Sequence, residues 1–140
     1  MYKFWIIFLK HAKTIKKMEL IYKQESFDII GICLEVHREL GLGYSEIIYK
    51  DALEIEFKRH NIPHVREKEF QAFYKGQPLS RVFYADFLMY GKIILEVKAK
   101  SAIVEEHEIQ TLNYVACANM RLGIIANFGA KSFQQKRIIL

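Results

Sequence analysis

The chain has 140 residues, 51% hydrophobic and 26% charged, which describes one globular domain with a real core and excludes a disordered chain. Its formal net charge of +5 belongs to one end: five of the 21 basic residues precede the first acid, Glu19, so from Met18 onward basic and acidic residues balance at 16 each. The body is therefore no general polyanion binder, and any affinity for nucleic acid must come from a local patch, from bound metal or from the tail.

The chain opens on Phe4-Trp5-Ile6-Ile7-Phe8-Leu9, six apolar residues between lysines. A bilayer span needs roughly 20, and no small-residue cleavage site follows, so no membrane association is expected. Charge and pattern become ordinary at Met18, which reads as the true start, with residues 1–17 an upstream in-frame extension. The division is an N-terminal extension, 1–24, and one domain, 25–140. Ser26 suits an N-cap for a helix over about 27–40, with Ile29, Cys33, Val36 and Leu40 at helical spacing and Phe27, Ile30 and Leu34 widening the stripe. Gly41-Leu42-Gly43 ends it. Ser45 caps a second helix to about His60, with Ile48, Ala52 and Ile55 as its apolar stripe. Asn61 and Pro63 stop it.

Strands follow over about 65–74 and 82–90, separated by the turn Lys75-Gly76-Gln77-Pro78. Gly91-Lys92 makes a tight hairpin into a third strand, 93–98. A third helix over about 104–119, an apolar strand over 122–127 and a last edge segment over 137–140 complete the chain. The order α-α-β-β-β-α-β predicts an α/β fold, a mixed sheet flanked by helices. Cys33 and Cys117 form no Cys-x-x-Cys pair. In helices they are expected to act as small buried hydrophobes in a reducing, cytoplasmic setting.

Strand 93–98 puts Glu96 and Lys98 on one face and Val97 on the other. Charges on a strand of buried type are costly to desolvate unless something compensates. Asp86, counted back through the hairpin, is close to a cross-strand partner of Glu96. Two converging carboxylates suit Mg2+ or Mn2+, which take hard oxygen donors. Such an ion supplies what phosphodiester hydrolysis needs, a nucleophilic water and charge neutralisation. Lys98, one step along the same face, could orient that water or neutralise phosphate oxygens. Taken alone, the three residues read more simply as a salt bridge.

Two further signals weigh against that simpler reading. Gln110 and Tyr114, four apart, share a helix face. Gln110 could hold a substrate phosphate or a water, and Tyr114 could brace the lysine or the substrate. Glu46 falls in the first turn of the second helix, where the helix dipole favours an acid, with Tyr49 three residues on. A carboxylate reaching in from there would add a third acidic ligand or a water-orienting group. The histidines have no zinc-ligand spacing with a cysteine and read as structural or surface residues, with His107, three before Gln110, the one nearest the cleft.

Gly43-Tyr44-Ser45-Glu46-Ile47-Ile48-Tyr49 resembles the naming motif of the GxxExxY protein family, a compact branch of the PD-(D/E)xK nuclease superfamily. Glu35-Val36-His37-Arg38-Glu39-Leu40-Gly41 resembles its lead-in, and Gly123-Ile124-Ile125-Ala126-Asn127-Phe128-Gly129 its C-terminal strand and turn. Asp86 with Glu96-Val97-Lys98 resembles the superfamily core. Gln110-Thr111-Leu112-Asn113-Tyr114 resembles the QxxxY motif of RecB-like members. Ala85 stands where a literal Pro-Asp would carry proline. The resemblance covers about residues 25–140. It implies a restriction-endonuclease-like fold with Glu46, Asp86, Glu96 and Lys98 as the catalytic set.

The resulting expectation is a metal-dependent nuclease acting on DNA without sequence specificity. Glu46, Asp86 and Glu96 would hold Mg2+ or Mn2+. Gln110 would assist catalysis, and Tyr49 and Tyr114 would contact substrate. A protein partner or a homodimer would guide it. The alternatives are a nuclease acting on RNA or a small phosphodiester, and a catalytically silent binding module that keeps the fold.

Overall fold

The computed structural model describes residues 21–140. The apolar run 4–9 and the start at Met18 lie outside them. Helix α1 (Lys23–Leu40) buries Ile29, Ile32, Cys33 and Val36, one face at helical spacing. Phe27 and Leu34, expected in that stripe, are exposed. The helix begins earlier than expected, with Tyr22 as N-cap, so Ser26 lies in the first turn and donates its N–H to Tyr22 O at 2.8 Å.

Helix α2 (Glu46–Arg59) starts after Ser45 as expected. Its buried face is Tyr49, Lys50, Leu53 and Phe57, whereas Ile48 and Ile55 point to solvent. Both stripes are apolar enough to face a core. The aromatic pair Tyr49 and Phe57 wins because each ring removes more area from water than an isoleucine does. That choice rotates Lys50 inward.

Five strands follow: β1 (His64–Tyr74), β2 (Gln77–Met89), β3 (Ile93–Lys98), β4 (Leu122–Asn127) and β5 (Gln134–Ile139). They pair in the order β1-β2-β3-β4-β5. Only β3–β4 is parallel, and a parallel pair needs a crossover, here carried by helix α3 (Glu105–Cys117). Helices α1 and α2 cover one face of the sheet, through Phe87, Met89, Leu95 and Ile124 among others. Helix α3 covers the other, with Val115 against Ala85 and Ile94. All of β4 and all of β3 except Lys98 are buried, as central strands covered on both faces must be. The architecture is a mixed sheet flanked by helices, an α/β restriction-endonuclease-like fold.

Both hairpin turns differ from expectation. The first is the two-residue Lys75-Gly76, with φ of 47° and 77°, so β2 starts at Gln77 and Pro78 pairs with Phe73. The second centres on Tyr90-Gly91, not Gly91-Lys92, with φ of 54° and 68° and a bond from Lys92 N–H to Met89 O at 3.0 Å. Two left-handed residues match the twist of the flanking strands, and they set the register Met89↔Ile93, Leu88↔Ile94 and Phe87↔Leu95. The last strand begins at Gln134, earlier than the expected edge segment. Cys33 is buried as expected, but Cys117, at the end of α3, is exposed.

Candidate active site

One step beyond Phe87↔Leu95, the β2–β3 register sets Asp86 opposite Glu96. No ladder pair forms there; the two carboxylates take over the main-chain bonds. Asp86 N–H donates to Glu96 Oε1 at 3.2 Å, and Val97 N–H donates to Asp86 Oδ2 at 2.7 Å. On the other side of β2, the β1 register runs from Arg66↔Phe87 to Lys68↔Ala85 and skips Glu67↔Asp86. Glu67 has φ of 52° inside a strand, a left-handed backbone that costs a non-glycine residue roughly 1–2 kcal/mol. At the same level the alternation of β2 changes phase: Ala85 packs towards α3, Phe87 and Met89 towards α1 and α2. Asp86 therefore sits where the sheet opens, within reach of both helical layers.

Helix α2 brings Lys50 to this opening. Its buried ammonium donates to Asp86 Oδ1 at 2.9 Å and to Glu67 Oε1. Burial pulls the Lys50 ammonium down, and its bonds to Glu67 and Asp86 more than offset that, so it ends above the usual lysine range. Glu96 is 3% exposed. Burial first, and the Asp86 carboxylate second, push it up to about 9. Burial and the neighbouring Asp86 thus both disfavour an ionised Glu96, and a further cation beside the pair would favour it.

Lys98 follows on the same strand face as Glu96. Its Nζ donates to Gln110 Oε1 at 3.1 Å, and Gln110 Nε2 donates to Tyr114 OH at 3.3 Å. The Tyr114 ring stacks on Phe83, with centroids 4.4 Å apart. Burial, then the charges of Glu96 and Asp86, raise its hydroxyl, which places it within electrostatic reach of both carboxylates.

The main chain after Lys98 is clasped from β4. Phe128 N–H donates to Lys98 O at 2.8 Å. Buried Asn127 accepts on Oδ1 from Lys100 N–H at 2.9 Å and Gly129 N–H at 3.2 Å. Its Nδ2 donates to Lys100 O at 2.9 Å and Gln134 Oε1 at 3.0 Å. A Cβ on Gly129 would stand 2.3 Å from Lys100 N, so only glycine lets the two segments approach this closely.

The sequence profile of the PD-(D/E)XK nuclease superfamily matches residues 23–138. The chain belongs to that superfamily. No curated protein matches it. Among solved structures it is similar to the crystal structure of SSO0001, with a TM-score of 0.54 and 20% identity over 66% of this chain and 49% of that one. The likeness concerns the fold, and the chain spans about half the length of SSO0001.

In this member of the PD-(D/E)XK nuclease superfamily, Asp86 and Glu96 interlock, and Lys98, Gln110 and Tyr114 form a separate hydrogen-bonded chain beside them, within electrostatic reach of the two carboxylates. Glu46 opens α2 one turn before Lys50 and shares its helix face, and it makes no hydrogen bond or ion pair with either set among the described residues. Tyr49 lies elsewhere. It is fully buried, its hydroxyl donates to Gly41 O at 2.6 Å, and its ring stacks on Phe128 at 4.8 Å. It has no face left for a substrate; it anchors the α1–α2 loop to the core. His107 Nδ1 accepts from Val104 N–H at 3.2 Å at the start of α3. His37 and His64 bond to the carbonyls of Ala130 and Ile62.

The sequence reading missed Lys50 and Glu67. Lys50 was hidden by taking the wrong stripe of α2 as buried, although its place four residues after Glu46 was a usable signal. Glu67 sits in the run Arg66-Glu67-Lys68-Glu69, which reads as a solvated edge, and nothing in the sequence announces its left-handed backbone. Of the donors to a cation, Asp86, Glu96 and Glu67 all offer carboxylate oxygen, the chemistry that Mg2+ and Mn2+ accept. Among the described residues no helix is long and apolar enough to cross a membrane.

Proposed function

We propose that the chain is a Mg2+- or Mn2+-dependent phosphodiesterase of the GxxExxY type that hydrolyses DNA without sequence specificity. The observation that carries this reading is the interlock of Asp86 with Glu96 beside Lys98, at a point where the sheet opens. Asp86 and Glu96 would hold the ion, and Glu46 would complete the acidic shell from α2. A bound divalent ion supplies Lewis acidity and charge neutralisation at the scissile phosphate. Lys98 positions a water or neutralises a non-bridging phosphate oxygen. Gln110 holds the Lys98 ammonium in place by accepting its hydrogen bond, and it orients the substrate. Tyr114 supports Gln110 and lends an edge of its ring to the substrate.

The balance of 16 basic and 16 acidic residues from Met18 onward supports local contact over broad, sequence-reading contact with DNA. A protein partner or a second copy would then direct the enzyme, in a cytoplasmic setting that keeps both cysteines reduced. The test combines Mn2+ titration calorimetry with cleavage of single-stranded, duplex and branched DNA and of RNA. Wild type should bind the ion and Glu96→Ala should not. Lys98→Ala should cut the rate by at least about 100-fold while melting like wild type. Equal ion binding by wild type and Glu96→Ala would sink the metal site. Cleavage of RNA alone would reassign the substrate.

A further inference from the structure

We propose that Lys50 is the built-in counter-ion of this site, and that a divalent cation loads by taking Asp86 Oδ1 and Glu67 Oε1 from its ammonium. The inference rests on the metal-dependent reading above and adds how the site is kept closed and what opens it. The ammonium bridges two carboxylates from neighbouring strands, Asp86 on β2 and Glu67 on β1. Asp86 is the residue that also bonds Val97 N–H and whose own N–H bonds Glu96, so Lys50 grips the pivot of the whole row. A cation bound there by side-chain oxygens needs the lone pairs that Lys50 now occupies.

Glu67 gives the second, independent observation. Its backbone is left-handed in mid-strand, directly beside Asp86 in the register, and strain of that kind persists only where the surroundings over-determine it. A regular strand residue would keep the ladder pair that is missing here. The departure turns the Glu67 carboxylate onto Lys50. Exposure grades across the trio: the side chains of Lys50 and Asp86 are 11% and 18% exposed, that of Glu67 51%. Glu67 is therefore the outer partner, the first carboxylate that an arriving ion meets. One ammonium cannot neutralise the two carboxylates Asp86 and Glu67 together, whereas a divalent ion can.

The test is Mn2+ binding to the full chain, read as free Mn2+ by electron paramagnetic resonance, without DNA. Lys50→Met keeps the length and apolar stem of the side chain and removes its charge. It should bind Mn2+ at least tenfold more tightly than wild type, and Mn2+ should raise its melting temperature by more. Lys50→Arg keeps a competing cation and should gain nothing. Binding by both proteins, tighter in Lys50→Met than in wild type, supports the inference. Binding by wild type with equal or weaker binding by Lys50→Met overturns the inference and leaves the metal site standing. Failure of both proteins to bind Mn2+ removes the inference together with the metal-dependent reading.

A measurement on wild type covers the case in which Lys50→Met does not fold. Lysine labelling by an amine-reactive ester, read peptide by peptide in a mass spectrometer, should rise at least threefold at Lys50 when Mn2+ is added, relative to exposed Lys58 on the same helix. Unchanged or reduced labelling at Lys50 overturns the inference.

Discussion

Replacing Asn127 with alanine removes a side chain that makes four hydrogen bonds from a fully buried position. A neutral hydrogen bond contributes about 0.5–1.5 kcal/mol net, and a buried partner left unmade costs more. Two of the four bonds end on Lys100, an exposed residue, and its N–H and carbonyl are expected to reach water when the side chain is lost. The Gly129 N–H and Gln134 Oε1 are less open to solvent. The cost should therefore fall near the lower sum, about 2–3 kcal/mol. Urea denaturation at pH 7 measures it as a lower midpoint at unchanged slope. Asn127→Asp keeps both acceptor bonds but turns two donors into an oxygen facing Lys100 O and Gln134 Oε1, so it should cost at least as much. Because the clasp lies after Lys98 and not at the carboxylates, both variants should also slow cleavage while binding Mn2+ like wild type. A cost under about 1 kcal/mol in both variants would refute the clasp.

Three further outcomes are expected. The folded Glu96 carboxyl titrates at about 9 against an ordinary 4.5, so the stability it contributes is fully present below pH 4.5 and is lost as pH rises through about 9. In chelator, urea stability should fall across that window by up to about 1.4 kcal/mol per pH unit; Glu96→Gln should flatten the slope, and an equally steep variant would contradict the assignment. Gly123→Ala sets a Cβ 2.7 Å from Thr111 Cγ2 and 2.8 Å from Val115 Cγ2, so α3 must shift off β4. Thermal melting should show a loss of about 1–3 kcal/mol, and a variant as stable as wild type would show that the helix yields freely. Tyr49→Phe loses only the bond to Gly41 O. It should cost about 1 kcal/mol and leave cleavage unchanged; a fall in substrate affinity at full stability would return Tyr49 to the substrate side.

The helices and strands were legible because their apolar periods are long and their turns carry glycine. The mixed sheet follows from their order. The pairing of Asp86 with Glu96 was legible too, since a hairpin's register is fixed by its turn, even though the turn proved to centre one residue earlier, at Tyr90-Gly91. What stayed hidden depends on tertiary competition. In α2 two stripes, Ile48-Ala52-Ile55 and Tyr49-Leu53-Phe57, are offset by one or two positions, and only packing against Phe87 and Phe128 decides between them. That single rotation moved Tyr49 from the site into the core and brought Lys50 from the surface to the carboxylates. The bond from Lys98 to Gln110 could be anticipated from the QxxxY spacing, but the grip of Asn127 on Lys100 could not, because it joins residues 27 positions apart.

The one parallel pairing in the sheet gives the site an order of assembly. The meander β1-β2-β3 is built from neighbours in sequence, and such local pairings form early in folding, whereas β3–β4 must wait for the crossover through α3 to close. Asp86 and Glu96 meet within the meander. The partner of Lys98 on α3 and the clasp from Asn127 arrive only with the crossover. A chain caught midway through folding, or stalled during its own synthesis before β4 emerges, therefore holds the acidic half of the machinery without a positioned lysine. The topology withholds the whole residue group until the last strands dock, so the nuclease activity proposed above would appear together with the native state rather than ahead of it.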